Sequence, residues 1–435
     1  MTPEMIGMIG IIGLVGLLLL KIPVGIALII IALSGTTLIR GWDVAFSQLG
    51  RTPFDTASSY SLSVIPLFIL MGMILSYTGM GKDLYKAVDS WIGHWKGGLA
   101  MATIGSAAIF SAISGSLNAT TATVSKITLP EMEKYRYKPS LSTACVAAGG
   151  TLGILIPPSV ILILYGIQTR EPIGELLIAG IIPGMIQMLL FILIVVFLVR
   201  RDPTLAPARE EGSALTTEKM TTLIRMWPFA ALFLISIGGI YLGIFTPTEA
   251  AGVGAISALF FSLLTRKMNW HRLKLAFHES VKLTAYIFFI LIGATLFSQF
   301  LTISRLPVEL TYLVSRLDLN HYIILIGILL ALFLLGCFIE GLSLIVLTIP
   351  IVYPIILELG FNGVWFGIIM VMAINIGSLT PPLGISIFVI KGVAPNIPVQ
   401  TIFKGAIPMI VGMIICILIL IIFPSFVTIL PSLMR

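Results

Sequence analysis

The chain has 435 residues, 58% of them hydrophobic and only 10% charged, with a net charge of +7 and a mean hydropathy of +1.09. Soluble domains carry about a quarter charged residues, so the composition excludes a soluble globular protein and predicts an all-α integral membrane protein. The three cysteines, Cys145, Cys337 and Cys416, lie in apolar stretches without paired spacing and read as inert core residues.

Apolar runs set against charged breaks predict helices at 5–20, 22–39 and 62–79. The first run does not read as a cleaved leader, since Glu4 stands where a basic region belongs and Lys21 leads straight into another run. Within it Gly7, Gly10, Gly13 and Gly16 recur every third residue, the mark of a packing face for this chain or for a partner subunit. A polar amphipathic stretch at 81–96 follows, then a segment 97–130, a glycine-interrupted run at 141–167 and a long helix at 173–199. Residues 201–226 form the one hydrophilic linker. Beyond it the plan recurs, with helices at 227–243, 247–265 and 282–303, a polar stretch at 304–320, a segment 321–357, a glycine-interrupted run at 362–394 and a last helix near 405–430. Runs such as Ile173–Val199 and Ile407–Phe423 are long enough to span a bilayer.

The recurrence extends to individual residues. Gly153-Ile-Leu-Ile-Pro157-Pro158 answers Gly377-Ser-Leu-Thr-Pro381-Pro382, Pro23 answers Pro247, and Pro130 answers Pro354, each 224 residues on. Two halves, 1–200 and 227–435, each broken by glycine and a proline pair inside an apolar run, are the mark of a secondary transporter built from repeats. If 97–130 and 321–357 are re-entrant hairpins that do not cross, each half crosses five times and the second repeat is inverted. With the linker in the cytoplasm, 19 of the 26 Lys and Arg then lie inside and six outside (Arg40, Arg51, Arg170, Arg305, Arg316 and Arg435), with Lys126 within a hairpin. That bias is what the positive-inside rule expects. Both termini are then expected outside.

Four segments hold polar residues at membrane depth: Ser111–Thr121 and Gly336–Ser343 midway along the hairpins, and Ala148–Gly153 and Asn375–Thr380 just before the proline pairs. Proline removes an N–H and clashes with the preceding turn, and glycine tolerates unusual backbone angles, so these helices unwind. Unwound backbone at that depth is costly unless it lines a cavity or coordinates something. Its carbonyls, with Ser, Thr and Asn oxygens, suit Na⁺, while half-helix N-termini favour an anion. One hairpin tip and one break per half predict two cation sites flanking one anion site. The anion is expected at Ser114, Gly115, Ser116, Ser343 and Ser378. Glu340 is the one acid well inside the second half, read as a cation ligand, a proton carrier or a brace accepting backbone N–H groups at its hairpin tip. Lys126 is expected to snorkel and Glu249 to serve the start of its helix.

No catalytic constellation is present. His94, His271, His278 and His321 are scattered without metal spacing, and no nucleophile elbow, Walker loop or zinc-protease motif occurs. An enzyme and a nucleic-acid-binding protein are both set aside; the energy must come from an ion gradient or a partner.

The run Ile65-Pro66-Leu-Phe-Ile-Leu-Met-Gly72, the Ser114-Gly115-Ser116 tip, the Ile154–Ser159 break and the Gly377–Gly384 break together resemble the large membrane subunit of tripartite ATP-independent periplasmic (TRAP) transporters, over nearly the whole chain. The resemblance implies an elevator in the bacterial inner membrane, coupling to two or more Na⁺, a separate small membrane subunit of about four helices, and a periplasmic binding protein that delivers a small organic anion. Matched motif by motif, it implies a first Na⁺ site at Ser114, Asn118, Gly149, Thr151 and Gly153, and a second at Gly336, Glu340, Gly341, Gly377 and Thr380. Arg40, Arg51, Arg305 and Arg316 are the residues expected to dock the binding protein. A stand-alone Na⁺/carboxylate symporter of the divalent-anion type and an anion channel are the competing expectations.

Overall fold

A computed structural model describes residues 1–207, 220–222, 224, 226–316 and 319–434. Most of the expected linker 201–226, and Arg435, lie outside the described residues. Within them the chain is helical, and seven helices are long and apolar enough to cross a membrane. The first half comprises α1 (Pro3–Leu19), α2 (Val24–Arg40), α3 (Trp42–Ala57), α4 (Val64–Tyr77), α5 (Gly81–Ile92), α6 (Gly98–Ser114), α7 (Leu117–Lys134), α8 (Pro139–Leu155), α9 (Val160–Thr169), α10 (Ile173–Ala179) and α11 (Ile181–Arg201). The second comprises α12 (Trp227–Tyr241, with a π-turn at Leu234–Gly238), α13 (Pro247–Leu264), α14 (Trp270–Ser304), α15 (Leu306–Ser315), α16 (His321–Gly336), α17 (Gly341–Glu358), α18 (Gly363–Gly377), α19 (Ile385–Val393), α20 (Val399–Ile422) and α21 (Ser425–Ser432). The starts of α7 and α17, and of α8 and α18, fall 224 residues apart.

Helix ends follow local chemistry. Gly115, at φ 57, turns the chain from α6 to α7, and Ser116 caps α7 by accepting from the Ala119 N–H at 3.4 Å. The first break is short, Ile156–Ser159, with Ser159 capping α9 through the Leu162 N–H at 3.3 Å. The second runs from Ser378 to Gly384, where φ is 51. Glu249 closes a capping box with Thr246, accepting its N–H at 2.8 Å, which is the structural role expected of it.

Several boundaries differ from expectation. Residues 42–57, read as no helix, form α3, because apolar Trp42, Val44 and Phe46 alternate with enough polar side chains to hide the helix from a search for apolar runs. The helix expected at 282–303 begins at Trp270 and runs 35 residues. Asn269 caps it by accepting from the Arg272 N–H at 2.8 Å, and the Lys, Glu, Leu and Ala of its first turns are strong helix formers whatever their hydropathy. The run at 173–199 divides at Gly180, and the last long helix occupies 399–422 instead of 405–430. The expected glycine face packs within this chain: Gly7 lies against Ser304 and Leu306, Gly10 against Phe300, and Gly13 against Ile31.

The helices sort into two packed groups. One is α1–α4 with α12, α13 and α14; the other is α6–α11 with α16–α20. Connecting helix α5 packs on α6 and α7, and α15 packs on α17, while Asp83 of α5 forms an ion pair with Lys267 in the loop before α14.

The start of the linker is tied down. Lys138, just before α8, donates to Asp202 Oδ2 at 3.2 Å and Thr204 Oγ1 at 2.5 Å, and the Leu205 carbonyl accepts the Lys138 N–H at 3.0 Å. The Thr204 hydroxyl donates to Asp202 Oδ1, and this bond, with the Lys138 ammonium, holds the Asp202 carboxyl below the usual aspartate range. A lowered folded-state pKa gives stability that is present above the unfolded value of about 3.9 and lost as the pH falls through the folded one. The melting temperature of Asp202→Asn is therefore expected to fall less steeply than wild type below about pH 4, and to match it in slope at neutral pH. Parallel acid slopes in a thermal-shift series would contradict this.

Candidate functional site

Both hairpin tips and both breaks meet at one cavity of about 310 Å³. The first tip contributes Gly115, Ser116 and Asn118, the second Gly336, Glu340 and Gly341, and the breaks Ile154, Val160, Asn375, Ser378 and Ile385. Met73 of α4 and Glu279, Leu283 and Ile287 of α14 close the other wall, so the cavity lies between the two helix groups. Four helices begin at its lining, since Leu117, Val160, Gly341 and Ile385 are the first residues of α7, α9, α17 and α19. Four others, α6, α8, α16 and α18, end there. Positive and negative helix ends thus face a common space. The described lining contains two carboxylates, Glu279 and Glu340, and no Lys, Arg or His.

Around the first tip the residues named for a cation are close together. The Ser114 and Thr120 hydroxyls are 2.6 Å apart, and Gly153 packs so tightly that a Cβ there would come within 3.0 Å of the Ser116 carbonyl oxygen and Thr120 Oγ1. Asn118 lines the cavity and its Oδ1 is buried without a partner among the described residues. Gly149 packs against Ala107. Thr151 lies deeper: its hydroxyl donates to the Ala148 carbonyl at 2.6 Å and accepts from Gln187 Nε2 at 3.0 Å, while its carbonyl accepts from Asn375 Nδ2 at 2.9 Å.

At the second tip, Gly377 rests on the backbone of Gly336 and Cys337, and Gly341 approaches Ile161 and Ile374. Ser378 donates to the Asn375 carbonyl at 2.7 Å, and Thr380 donates to Ile376 O at 2.8 Å without reaching the cavity. Ser343 is fully buried and does not line the cavity either. Glu340 stands at the N-cap of α17, yet its side chain accepts no backbone N–H there. It accepts instead from the Tyr286 hydroxyl of α14 at 3.3 Å, a bond that joins the two helix groups.

Arg40, Arg51, Arg305 and Arg316 are exposed. Arg51 pairs with Asp55 at 3.2 Å and Arg316 stacks on the Tyr312 ring at 4.1 Å. Lys126 and all four histidines are exposed, and no group of three His, Cys, Asp or Glu that could hold a metal occurs among the described residues. Sequence reasoning missed Glu279, which lies in a stretch read as polar surface, and Gln187, whose signal was a lone amide in an apolar run. It named Asn375 as polar at depth but gave it no role.

The sequence matches the family described as tripartite ATP-independent periplasmic transporter, DctM component, over residues 11–426. It is 34% identical over 380 residues to the C4-dicarboxylate TRAP transporter large permease protein DctM of Pseudomonas aeruginosa, covering 87% of this chain and 88% of that one. It is 32% identical over 403 residues to the isethionate TRAP transporter permease protein DctMQ of Oleidesulfovibrio alaskensis, covering 92% of this chain but 62% of that longer protein. The crystal structure of the Alcanivorax borkumensis YdaH transporter shares the fold, with a TM-score of 0.64 at 14% identity over 89% of this chain and 90% of that one.

Proposed function

The chain belongs to the DctM-component family of tripartite ATP-independent periplasmic transporters, and from that premise we propose that it imports a small organic carboxylate or sulfonate together with Na⁺. The observation that carries this reading is the cavity itself, at whose lining four helices begin while the charged side chains among its described residues are acidic. Helix N-termini with Ser116 and Asn118 offer donors to an anion, whereas Ser378 gives both its hydroxyl and its N–H to the Asn375 carbonyl. Two carboxylates without a lysine or arginine would repel that anion unless cations accompany it. Na⁺ supplies the missing charge at the breaks and tips, where Asn118 Oδ1 is an unengaged acceptor and helix C-termini leave carbonyls free.

In this reading Ser114, Asn118, Gly149, Thr151 and Gly153 surround the first Na⁺, with Thr151 contributing through an oxygen already shared with neighbours. Gly336, Glu340, Gly341, Gly377 and Thr380 surround the second, and the anion lies between, with Ser343 behind the lining. The helix group bearing tips and breaks slides as a block against the α1–α4, α12–α14 group, which makes the cavity between them accessible in turn from each side. The two halves are inverted repeats, as the shared offset of helix starts and the direct bond between Thr151 and Asn375, 224 residues apart, support. Import proceeds across the bacterial inner membrane with both termini periplasmic. A periplasmic binding protein docks over the exposed arginines, and a small membrane subunit completes the complex. The relatives named above for a C4-dicarboxylate and for isethionate fit the carboxylate or sulfonate class.

Reconstituted with the small subunit and binding protein encoded beside it, the chain is expected to accumulate that binding protein's ligand only with an inward Na⁺ gradient. Uptake that persists without the binding protein would replace this reading with a stand-alone symporter. Flux that only equilibrates would replace it with a channel.

A further inference from the structure

We infer that Gln187 is a positioning residue which, through Thr151 and Asn375, couples the two cation sites so that filling one raises the affinity of the other. The inference rests on the Na⁺ reading above. Gln187 of α11, Thr151, Asn375, Ser378 and Ser386 are all buried and form one hydrogen-bonded chain across both breaks. Its direction is fixed link by link. The Thr151 hydroxyl gives its only hydrogen to Ala148 O, so it accepts from Gln187 Nε2. The Thr151 carbonyl accepts from Asn375 Nδ2, the Asn375 carbonyl accepts from both the hydroxyl and the N–H of Ser378, and the Ser378 carbonyl accepts the Ser386 N–H at 3.2 Å.

The middle links of the chain stand at the two candidate sites. Thr151 lies between Gly149 and Gly153, and Gly153 abuts Ser116 and Thr120 of the first tip. Asn375 and Ser378 flank Gly377, which abuts Gly336 of the second tip. A cation drawing on the 149–153 backbone polarises and orients the Thr151 carbonyl, which fixes Asn375 and with it the backbone at Gly377. Gln187 sets the starting geometry by holding the Thr151 side chain from behind. Its Oε1 has no partner among the described residues, an unfavourable burial that a methionine of similar volume would avoid. What the amide supplies in return is the donor that locks Thr151.

The experiment follows the melting temperature of the purified chain in detergent as Na⁺ replaces choline at constant ionic strength. Wild type is expected to show a sigmoidal rise. Gln187→Met and Thr151→Val should flatten it to a Hill coefficient of about one and raise half-saturating Na⁺ about tenfold, within the usual range of coupling between sites. Thr151→Ser, which keeps the hydroxyl, should retain the sigmoid. Equal destabilisation at every Na⁺ concentration with an unchanged Hill coefficient in both variants would leave Gln187 a purely structural residue and overturn the inference. A wild-type melting temperature indifferent to Na⁺ would overturn the Na⁺ reading itself, and the coupling with it.

Discussion

Gly377→Ala is expected to reduce uptake by about ten- to a hundredfold in protein that still reaches the membrane. The new methyl would lie 2.7 Å from both Cys337 N and Gly336 Cα, atoms of the backbone that builds the second hairpin tip. Neither can rotate aside as a side chain would, so the tip must withdraw from the break. Overpacking of this kind costs about 1–3 kcal/mol, and about 1.4 kcal/mol corresponds to a factor of ten in an equilibrium. The cost falls on the geometry of one candidate cation site and one wall of the cavity. Gly153→Ala, the position 224 residues earlier, should be milder, because one of its two neighbours at 3.0 Å is the Thr120 hydroxyl, which can turn. Gly392→Ala, with nothing within 4 Å of the added carbon, serves as the neutral control. Uptake within twofold of wild type in Gly377→Ala proteoliposomes would refute the close approach of tip and break.

Glu340→Gln is expected to raise the Na⁺ concentration for half-maximal uptake by about ten- to a hundredfold, the effect of removing an interaction with a charged group worth about 1.5–3 kcal/mol. The carboxylate lines the cavity at the second tip and has one described partner, the Tyr286 hydroxyl. It accepts no backbone N–H at the start of α17, so bracing the hairpin by capping is not its role. Tyr286→Phe leaves the charge in place and should shift Na⁺ dependence only about two- to fivefold, in line with the loss of a single hydrogen bond. The measurement is a Na⁺ titration of initial uptake at fixed ligand. An unchanged titration with a lowered maximal rate in Glu340→Gln would assign the side chain to movement of the block instead of to the cation.

What the sequence discloses depends on how each element is encoded. The hairpins and broken helices announce themselves because glycine and paired proline interrupt long apolar runs, and both tips and both breaks indeed converge on one cavity. Helix α3 and the start of α14 escape notice because a helix tolerates charged and polar side chains (Asp, Gln and Arg in the one, Lys, Glu and His in the other), whereas a search for apolar runs stops at them. Ser116, Asn118, Glu340 and Ser378 are at the lining as expected. Ser343 and Thr380 are not: Ser343 is turned into the core, and Thr380, half-buried in the break, returns its hydroxyl to the Ile376 carbonyl. Gln187 and Glu279 acquire meaning only through what lies opposite them, and a contact between α11 and α8, or between α14 and a hairpin tip, has no signature in either local sequence.

The length of α14 fixes which way the cavity faces. Thirty-five residues at about 1.5 Å each make a rod of about 52 Å, against about 30 Å of hydrocarbon. Some 20 Å, about four turns, must therefore stand outside the oily layer. No charged residue occurs between Tyr286 and Ser304, whereas His271, Arg272, Lys274, His278, Glu279 and Lys282 crowd the opposite end, so the surplus is there. Counting back from Ser304, about twenty residues fill the hydrocarbon, and Glu279 falls beyond them. An acid that borders the central cavity thus stands at the water line. With the crossings expected from the sequence, α12 and α13 lead out and back between the linker and α14, which puts this water on the linker's side of the membrane. In the described arrangement a bound molecule would leave the cavity past Glu279 into that water without crossing lipid, and a water-soluble thiol reagent added on that side would find a cysteine placed at 279.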